Sequence, residues 1–107
     1  MKKELNGIKN KLLFDAIVCA NDELAIGVIK ALQEAGFNIP KDVKVTGFDN
    51  TIEGSLISPP LTTVDVDWTM YGQKMGEFAF AILGEKAKPD NNTLLINTTL
   101  IERQSSK

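Results

Sequence analysis

Residues 14–48 change twice between two hydrophobic periods, and this alternation limits the possible folds more than any other feature of the chain. Phe14 to Ala20 is a continuous apolar run, typical of a strand that is buried on both faces of a sheet. Apolar residues then recur at helical spacing up to a stop at Gly36, and Val43 to Phe48 reads as a second strand. A strand, a helix and a strand in this order predict an α/β domain with a mainly parallel sheet.

The rest of the chain continues this order of elements. The pair Pro59-Pro60 cannot donate hydrogen bonds to a sheet, so it fixes an extended entry into a third strand. Asp67 is the predicted N-cap of a long helix, and Gly84 is its predicted stop. We therefore predict a three-layer α/β sandwich with right-handed crossovers. After the second strand, its elements are a short helix or irregular loop over 51–58, a strand over 61–66, a helix over 68–83, a turn over 86–92 and one or two strands over 93–102.

The composition excludes several classes of function. The chain has 107 residues, a formal net charge of -2, no histidine and one cysteine, Cys19. A slightly acidic chain does not bind nucleic acid non-specifically, and its basic cluster at Lys2, Lys3, Lys9 and Lys11 is read as the solvated end of a helix. A lone cysteine inside a strand builds no disulfide and acts as a small hydrophobe. No apolar run approaches the ~20 residues of a membrane helix, so we predict a cytoplasmic protein with no membrane partner.

Patterns for catalysis and for metal binding are hard to find. Nucleophilic catalysis needs a base beside the nucleophile, and the usual histidine is missing. The acidic pairs at 22–23 and 65–67 have no further ligands near them in the sequence. We therefore predict no enzyme activity, no catalytic residue, no metal site and no cofactor. A hydrolase that uses Asp22 and Asp49 as paired carboxylates is kept as a minor alternative.

Binding chemistry fits the polar residues that follow the strands. Asn21 can donate and accept hydrogen bonds, and Asp49 can accept from two hydroxyls at once, which suits a sugar or a nucleoside. Trp68, two residues beyond the third strand, offers an apolar wall and one N–H donor. The carboxyl ends of the strands are where open α/β sheets gather their ligands. The structural alternatives remain open: Asn21 as a helix cap, Asp49 as a turn former and Trp68 as a core residue.

From Phe14 to Glu102 the chain resembles the C-terminal part of a lactose-repressor/galactose-repressor (LacI/GalR) type transcription regulator. The matching motifs are FDAIVCANDELAIGVIKALQEAGFNIPKDVKVTGFDN, SPPLTTV and LIERQSS. Sugar-binding periplasmic proteins share the fold and an AND…GFD pattern. The combination of IPKDVKVTGFDN with PPLTTV, however, is typical of the regulators.

The resemblance implies a periplasmic-binding-protein-like sensor of two lobes, with a sugar-like effector bound between them. The Asn of AND and the Asp of GFD, here Asn21 and Asp49, commonly face the effector in such regulators. The aromatic residue after LTTV, here Trp68, often lines the same pocket. Family dimers meet partly through the first helix and the loop before the two prolines, which carries over to Ile26, Lys30, Glu34, Leu56 and Ile57.

The resemblance also implies a division of the chain and a role for it. The predicted parts are a residual helix at 1–13, the C-terminal lobe at 14–66, a crossover helix at 67–92 that packs on the other lobe, and returning strands with a tail at 93–107. The chain is then the effector-binding and dimerisation fragment of a homodimeric repressor of carbohydrate metabolism. Operator DNA is bound only through an N-terminal head that this fragment lacks. The alternative is a fragment of a periplasmic-type solute-binding protein.

The helix predicted over 68–83 carries an apolar stripe that needs a cover. Tyr71, Met75, Phe78 and Ile82 recur at helical spacing along it. Four large side chains left in water forgo a substantial part of the stability of a domain. Either the helix folds back onto its own sheet, or two chains cover each other's stripes. We favour the second arrangement and expect that the fragment is not a simple monomer.

Overall fold

The structure, a computed structural model, describes residues 12–84 and 93–107. The basic segment at 2–11 and the turn predicted over 86–92 lie outside these residues. The elements follow the predicted order of strands and helices. They are β1 (Ala16–Val18), α1 (Asp22–Glu34), β2 (Lys44–Thr46), α2 (Ile52–Leu56), β3 (Thr63–Asp65), α3 (Trp68–Leu83) and β4 (Thr99–Ile101).

The ends of the two long helices lie where the polar residues predict them. Asn21 caps α1 and Asp67 caps α3, and each side chain accepts a hydrogen bond from the backbone N–H three residues later. Gly36 has a φ of 90°, a conformation that glycine adopts without strain, just after the C-cap of α1. The strands are shorter than predicted. At β1, for example, the apolar run from Phe14 to Ala20 includes loop residues on both sides of the strand.

The chain divides into two compact units, Met1–Asp65 with Leu100–Lys107, and Val66–Thr99. In the first unit, β1 and β2 pair in parallel, with Ile17 opposite Val45, and Thr46 forms a parallel bridge to Thr62. β3 pairs with β4 in a second two-stranded sheet. This confirms the α/β class with a parallel sheet. The core beneath α1 consists of Cys19, Ala25, Ile29, Leu32, Ala35, Phe37, Val43, Val45 and Leu61.

The prediction that β1 is buried on both faces is wrong. Ile17 packs against the core, but Val18 is 82% exposed and Phe14 is 48% exposed. Successive side chains of a strand point to opposite faces, and α1 covers only the face that carries Ile17 and Val45. The partner of the exposed Ala16 in the strand register is Lys44, which is exposed as well. An apolar run therefore did not distinguish a strand covered on both faces from one covered on a single face.

The second unit is built around α3, and none of the residues of this helix is buried. Trp68 and Tyr71 touch at its N-terminal end, with ring centroids 5.6 Å apart and planes inclined at 59°. A cavity of about 340 Å³ runs along the helix, lined by Tyr71, Met75, Phe78, Ala79, Ile82, Leu94 and Ile96. The four residues of the predicted stripe all line this cavity. The stripe is therefore formed as predicted, and the residues within 12–84 and 93–107 do not bury it.

Within 12–84 and 93–107, no helix has both the length and the apolar character that crossing a membrane requires.

Candidate functional site at the strand carboxyl ends

The loops that follow β1 and β2 lie side by side at the carboxyl ends of the parallel strands. The N–H of Cys19 donates to the carbonyl of Thr46, and the N–H of Asp22 donates to the carbonyl of Phe48, both at 2.9 Å. The second hydrogen bond joins the residue after Asn21 to the residue before Asp49. The sequence-predicted pair is thus brought to one edge of the sheet, as expected for parallel strands.

Asp22 is the centre of a buried hydrogen-bonded cluster in the first unit. It is fully buried, and its Oδ1 accepts a hydrogen bond of 2.6 Å from the Thr63 hydroxyl. Its Oδ2 accepts from the N–H of Thr51 at 2.8 Å and from the Thr51 hydroxyl at 3.3 Å. Both carboxylate oxygens are therefore occupied by protein donors. Asp22 ties α1 to the loop before α2 and to β3, a role that its position in the first turn of a helix did not reveal.

Two glycines make room for this buried carboxylate. A Cβ at Gly47 would collide with Oδ1 of Asp22 and would lie 3.1 Å from Cδ2 of Leu61. A Cβ at Gly54 would lie 3.3 Å from Oδ2 of Asp22. Gly47 is therefore required by the close approach of a side chain rather than by its own backbone conformation. This glycine of the GFD motif was the available sign that another group packs against the end of β2.

Asp49 has the opposite environment. Its φ is 111°, a value that residues with a Cβ rarely adopt. Its N–H donates to the carbonyl of Val64 at 3.0 Å. It is half-buried, and its carboxylate makes no hydrogen bond to any residue in the described ranges. The following residue, Asn50, also has a positive φ, 56°. The loop thus presents an unpartnered carboxylate on a strained backbone, and such strain is typical of ligand-binding positions.

The structure settles the structural alternatives for two of the predicted ligand residues. Oδ1 of Asn21 accepts a hydrogen bond of 2.9 Å from the N–H of Leu24, so Asn21 is a helix cap, and its Nδ2 makes no hydrogen bond within the described ranges. Trp68 is 54% exposed, so its interpretation as a core residue is wrong. Trp68 begins α3 in the second unit, where it contacts Tyr71.

Three of the five residues predicted for a dimer contact, Ile26, Lys30 and Ile57, lie along one surface cleft of the first unit. The cleft has a volume of about 260 Å³ and is lined by Ile26, Ile29, Lys30, Gln33, Ile57 and Ser58. The side-chain amide of Gln33 donates to the carbonyl of Ser58 at 2.7 Å, which fixes the cleft wall. The other two predicted residues, Glu34 and Leu56, are exposed. The predicted residues therefore belong to an accessible apolar and charged surface.

The remaining reactive groups do not form a chemical centre. Burial raises the pKa of the Cys19 thiol, so this cysteine stays protonated and packs as a small apolar side chain. No cluster of three or more histidine, cysteine, aspartate or glutamate side chains that could hold a metal ion occurs among the described residues. With Asp22 buried and fully hydrogen-bonded, the paired-carboxylate arrangement of Asp22 and Asp49 has no free second carboxylate.

Comparison with known proteins places this geometry in a family. Residues 2–106 match the periplasmic binding protein-like domain family. The transcriptional regulator RegA of Clostridium acetobutylicum, described as of the helix-turn-helix type, is 39% identical over 103 residues, which are 96% of this chain and 30% of RegA. This chain therefore spans less than a third of the length of that relative.

Solved structures of regulators share the fold. A LacI family transcriptional regulator from Arthrobacter sp. FB24, in complex with lactose, superposes with a TM-score of 0.76 at 29% identity over 99% of this chain and 40% of that chain. The lac repressor dimer bound to operator and the anti-inducer ONPF gives a TM-score of 0.77 at 27% identity, over 97% of this chain and 31% of that chain. Both likenesses extend over nearly the whole of this chain.

Proposed function

We propose that this chain, which belongs to the periplasmic binding protein-like domain family found in LacI/GalR transcription regulators, supplies the effector-binding and dimerisation part of a repressor. In this role the protein is cytoplasmic and not an enzyme, and its effector is a sugar or a related small metabolite. Operator DNA is contacted by a head that belongs to the rest of such a regulator. The alternative of a periplasmic solute-binding protein is less well supported, because the relatives are transcription regulators.

The observation that carries this proposal is the carboxylate of Asp49, which lies beside the capped end of α1 and has no hydrogen-bond partner among the described residues. A carboxylate can accept hydrogen bonds from two neighbouring hydroxyls of a sugar, and the unused Nδ2 of Asn21 can donate to a third oxygen. Trp68, in the second unit, is proposed as a further ligand residue because its ring is exposed, and sugars commonly stack their C–H groups on such a ring face. The lactose bound to the Arthrobacter regulator shows that a related protein takes a ligand of this class.

A titration followed by NMR tests where a sugar binds. Lactose should shift the amide signals of Asn21, Asp49 and Asn50 of this chain with millimolar affinity. Tetrahydropyran-2-methanol, which has one hydroxyl and no neighbouring pair, should leave them unchanged. Binding should be weak because this chain covers 40% of the lactose-bound regulator. Shifts confined to the cleft beside Lys30, or equal shifts with both compounds, would refute a diol site at Asp49.

We also propose a role for the two apolar surfaces. We keep as a proposal the division of the chain at 1–13, 14–66, 67–92 and 93–107, in which α3 packs on a lobe contributed by other parts of the regulator. In this chain by itself, a second copy covers the stripe of α3. The face around Ile26, Lys30, Glu34, Leu56 and Ile57 is the contact between the two subunits of the regulator. Its exposure, with Leu56 77% exposed, supports this proposal.

Light scattering on two charged variants separates these contacts. Met75→Glu places a charge in the stripe and should lower the mass of the self-associated chain. Leu56→Glu in that background should remove any dimer that remains through the second face. The exposed Glu77→Gln, on the same helix, serves as the control and should not change the mass. A wild-type chain that is monomeric at micromolar concentration, with α3 protected from hydrogen exchange, would contradict covering by a second copy.

A further inference from the structure

We propose that Arg103 and Asn50 are positioning residues that hold the backbone of Asp49 in its ligand-facing conformation. The consequence for ligand binding rests on the proposed function, whereas the consequence for the loop does not. Arg103 lies just after β4 and is separated from Asn50 by 53 residues of sequence. A residue near the C-terminus thereby holds the backbone position of Asp49, whose carboxylate lies at the end of β2.

The loop needs an external support because two consecutive residues, Asp49 and Asn50, have φ values of 111° and 56°. Neither is a glycine, so both conformations are uncommon; asparagine enters the left-handed region near 56° more readily than most residues, whereas 111° lies outside that region. Such conformations persist only where the surroundings determine them. Asp49 itself is held by the hydrogen bond from its N–H to the carbonyl of Val64, and its side chain makes no hydrogen bond to the residues that the structure describes. The support must therefore act through the neighbouring Asn50.

Asn50 uses all of its hydrogen-bonding groups except its carbonyl to fix its place. Its N–H donates to the Thr63 hydroxyl at 3.2 Å, and its Nδ2 donates to Oδ1 of Asp65 at 3.0 Å. Its Oδ1 accepts from Nη2 of Arg103 at 2.9 Å. Because Nδ2 faces the carboxylate of Asp65 and Oδ1 faces the guanidinium of Arg103, the orientation of the Asn50 amide is determined. Since the Thr63 hydroxyl also donates to Asp22, this group connects the loop to the buried cluster.

Arg103 supplies a geometry that another cation does not. Its Nη1 donates to the carbonyl of Leu61 at 3.0 Å, while its Nη2 donates to Asn50. The planar guanidinium reaches both acceptors at once, whereas the ammonium of lysine is a single point of charge. The backbone N–H of Arg103 donates to the Thr62 hydroxyl at 2.8 Å, which anchors the residue. The Arg103 side chain therefore links the segment before β3 to the loop after β2.

Hydrogen exchange measured by NMR without any ligand tests the positioning role. Arg103→Lys should raise the exchange rates of the Asp49 and Asn50 amides by about tenfold or more, because a hydrogen bond from a charged donor is lost. The amides of Cys19 and Ala25, which bond elsewhere in the first unit, should change much less. Gln104→Ala, at the exposed neighbouring position, is the matched control and should leave the Asp49 rate unchanged.

A second variant keeps the proposal testable if Arg103→Lys does not fold. Asn50→Gly removes the amide but tolerates the positive φ, so it should raise exchange at Asp49, and adding Arg103→Lys should then have no further effect there. Unchanged exchange at Asp49 in a folded Arg103→Lys chain would overturn the proposal. Additive effects of the two substitutions would overturn it as well.

A lactose titration separates this proposal from the proposed function. If both hold, Arg103→Lys should weaken the lactose-induced shifts at Asp49 while the chain remains folded. If lactose shifts no residue of the wild-type chain, the proposed function fails, and the exchange result still decides the role of Arg103. If lactose binds wild type and Arg103→Lys equally, the positioning role is wrong and the ligand site stands.

Discussion

Two carboxylates follow the two parallel strands of the first unit, and they have opposite environments. Asp22, after β1, is fully buried and accepts three hydrogen bonds from Thr51 and Thr63. Asp49, after β2, is half-buried, has a φ of 111° and accepts none from the described residues. The carboxylate of Asp22 stabilises the fold through these hydrogen bonds, while the carboxylate of Asp49 is available to a ligand. The comparison shows that position at a strand end does not by itself identify a ligand-binding residue.

The largest effect should come from removing the buried carboxylate. Asp22→Ala leaves the N–H of Thr51 and the hydroxyl of Thr63 without their acceptor, so we expect the free energy of unfolding to fall by about 3–5 kcal/mol. Asp49→Ala removes no hydrogen bond and should cost less than about 1 kcal/mol, mainly from its positive φ. Urea unfolding followed by circular dichroism measures both. Equal losses would break the distinction between the two carboxylates.

A smaller loss should follow from filling the space that Asp22 occupies. In Gly47→Ala the new Cβ collides with Oδ1 of Asp22, and we expect the free energy of unfolding to fall by about 2–4 kcal/mol. Gly27→Ala is the matched control, because a Cβ at this helical position meets nothing within 4 Å. It should raise stability by about 0.5–1 kcal/mol through helix propensity. A neutral Gly47→Ala would show that Asp22 is free to move.

The cap of α1 should have a moderate effect. Asn21→Ala removes the acceptor of the Leu24 N–H, and an N-cap residue of this type is worth about 1 kcal/mol. Asn21→Asp keeps the acceptor and should retain the stability, while it loses the Nδ2 donor that we assign to the ligand. Urea unfolding of the two variants therefore separates the capping role from the ligand role. A full loss of stability in Asn21→Asp would contradict the cap.

The smallest effect should come from relieving the strained residue. Asp49→Gly allows the positive φ without a Cβ, so we expect the free energy of unfolding to rise by about 0.5 kcal/mol. Thermal unfolding of this variant beside Asp49→Ala isolates the backbone contribution, since both lose the same carboxylate. A destabilised Asp49→Gly chain would mean that the side chain makes a contact that contributes to folding.

The sequence predicted much of the fold, because its signals are local. The polar caps at Asn21 and Asp67 and the stops at Gly36 and Gly84 placed both long helices. Burial depends on what packs against an element, and the sequence of the element does not state it. The apolar run around Val18 therefore predicted a strand covered on both faces, whereas the structure leaves one face of this strand exposed. The same limit applies to α3, whose residues are all unburied in this chain.

The candidate site was predicted only in part, for a related reason. Asn21 and Asp49 were identified because each directly follows a strand, and parallel strands bring these positions together. The roles of Asp22, Asn50 and Arg103 depend on partners that lie 13 to 53 residues away in the sequence. A single sequence contains no sign of such pairs. Gly47 and Gly54 were consistent with a close approach, but a glycine does not say which side chain approaches.

The central claim is that Asp49, and not Asp22, is the carboxylate that meets the effector. The most direct measurement is a lactose titration by NMR of the Asp49→Ala chain, with its urea unfolding recorded on the same sample. We predict that the lactose affinity obtained from the shifts at Asn21 and Asn50 falls. The loss of binding free energy should be about 1–3 kcal/mol, as expected for hydrogen bonds to a charged acceptor. The free energy of unfolding should change by less than about 1 kcal/mol. Undiminished shifts in a folded Asp49→Ala chain would contradict the account.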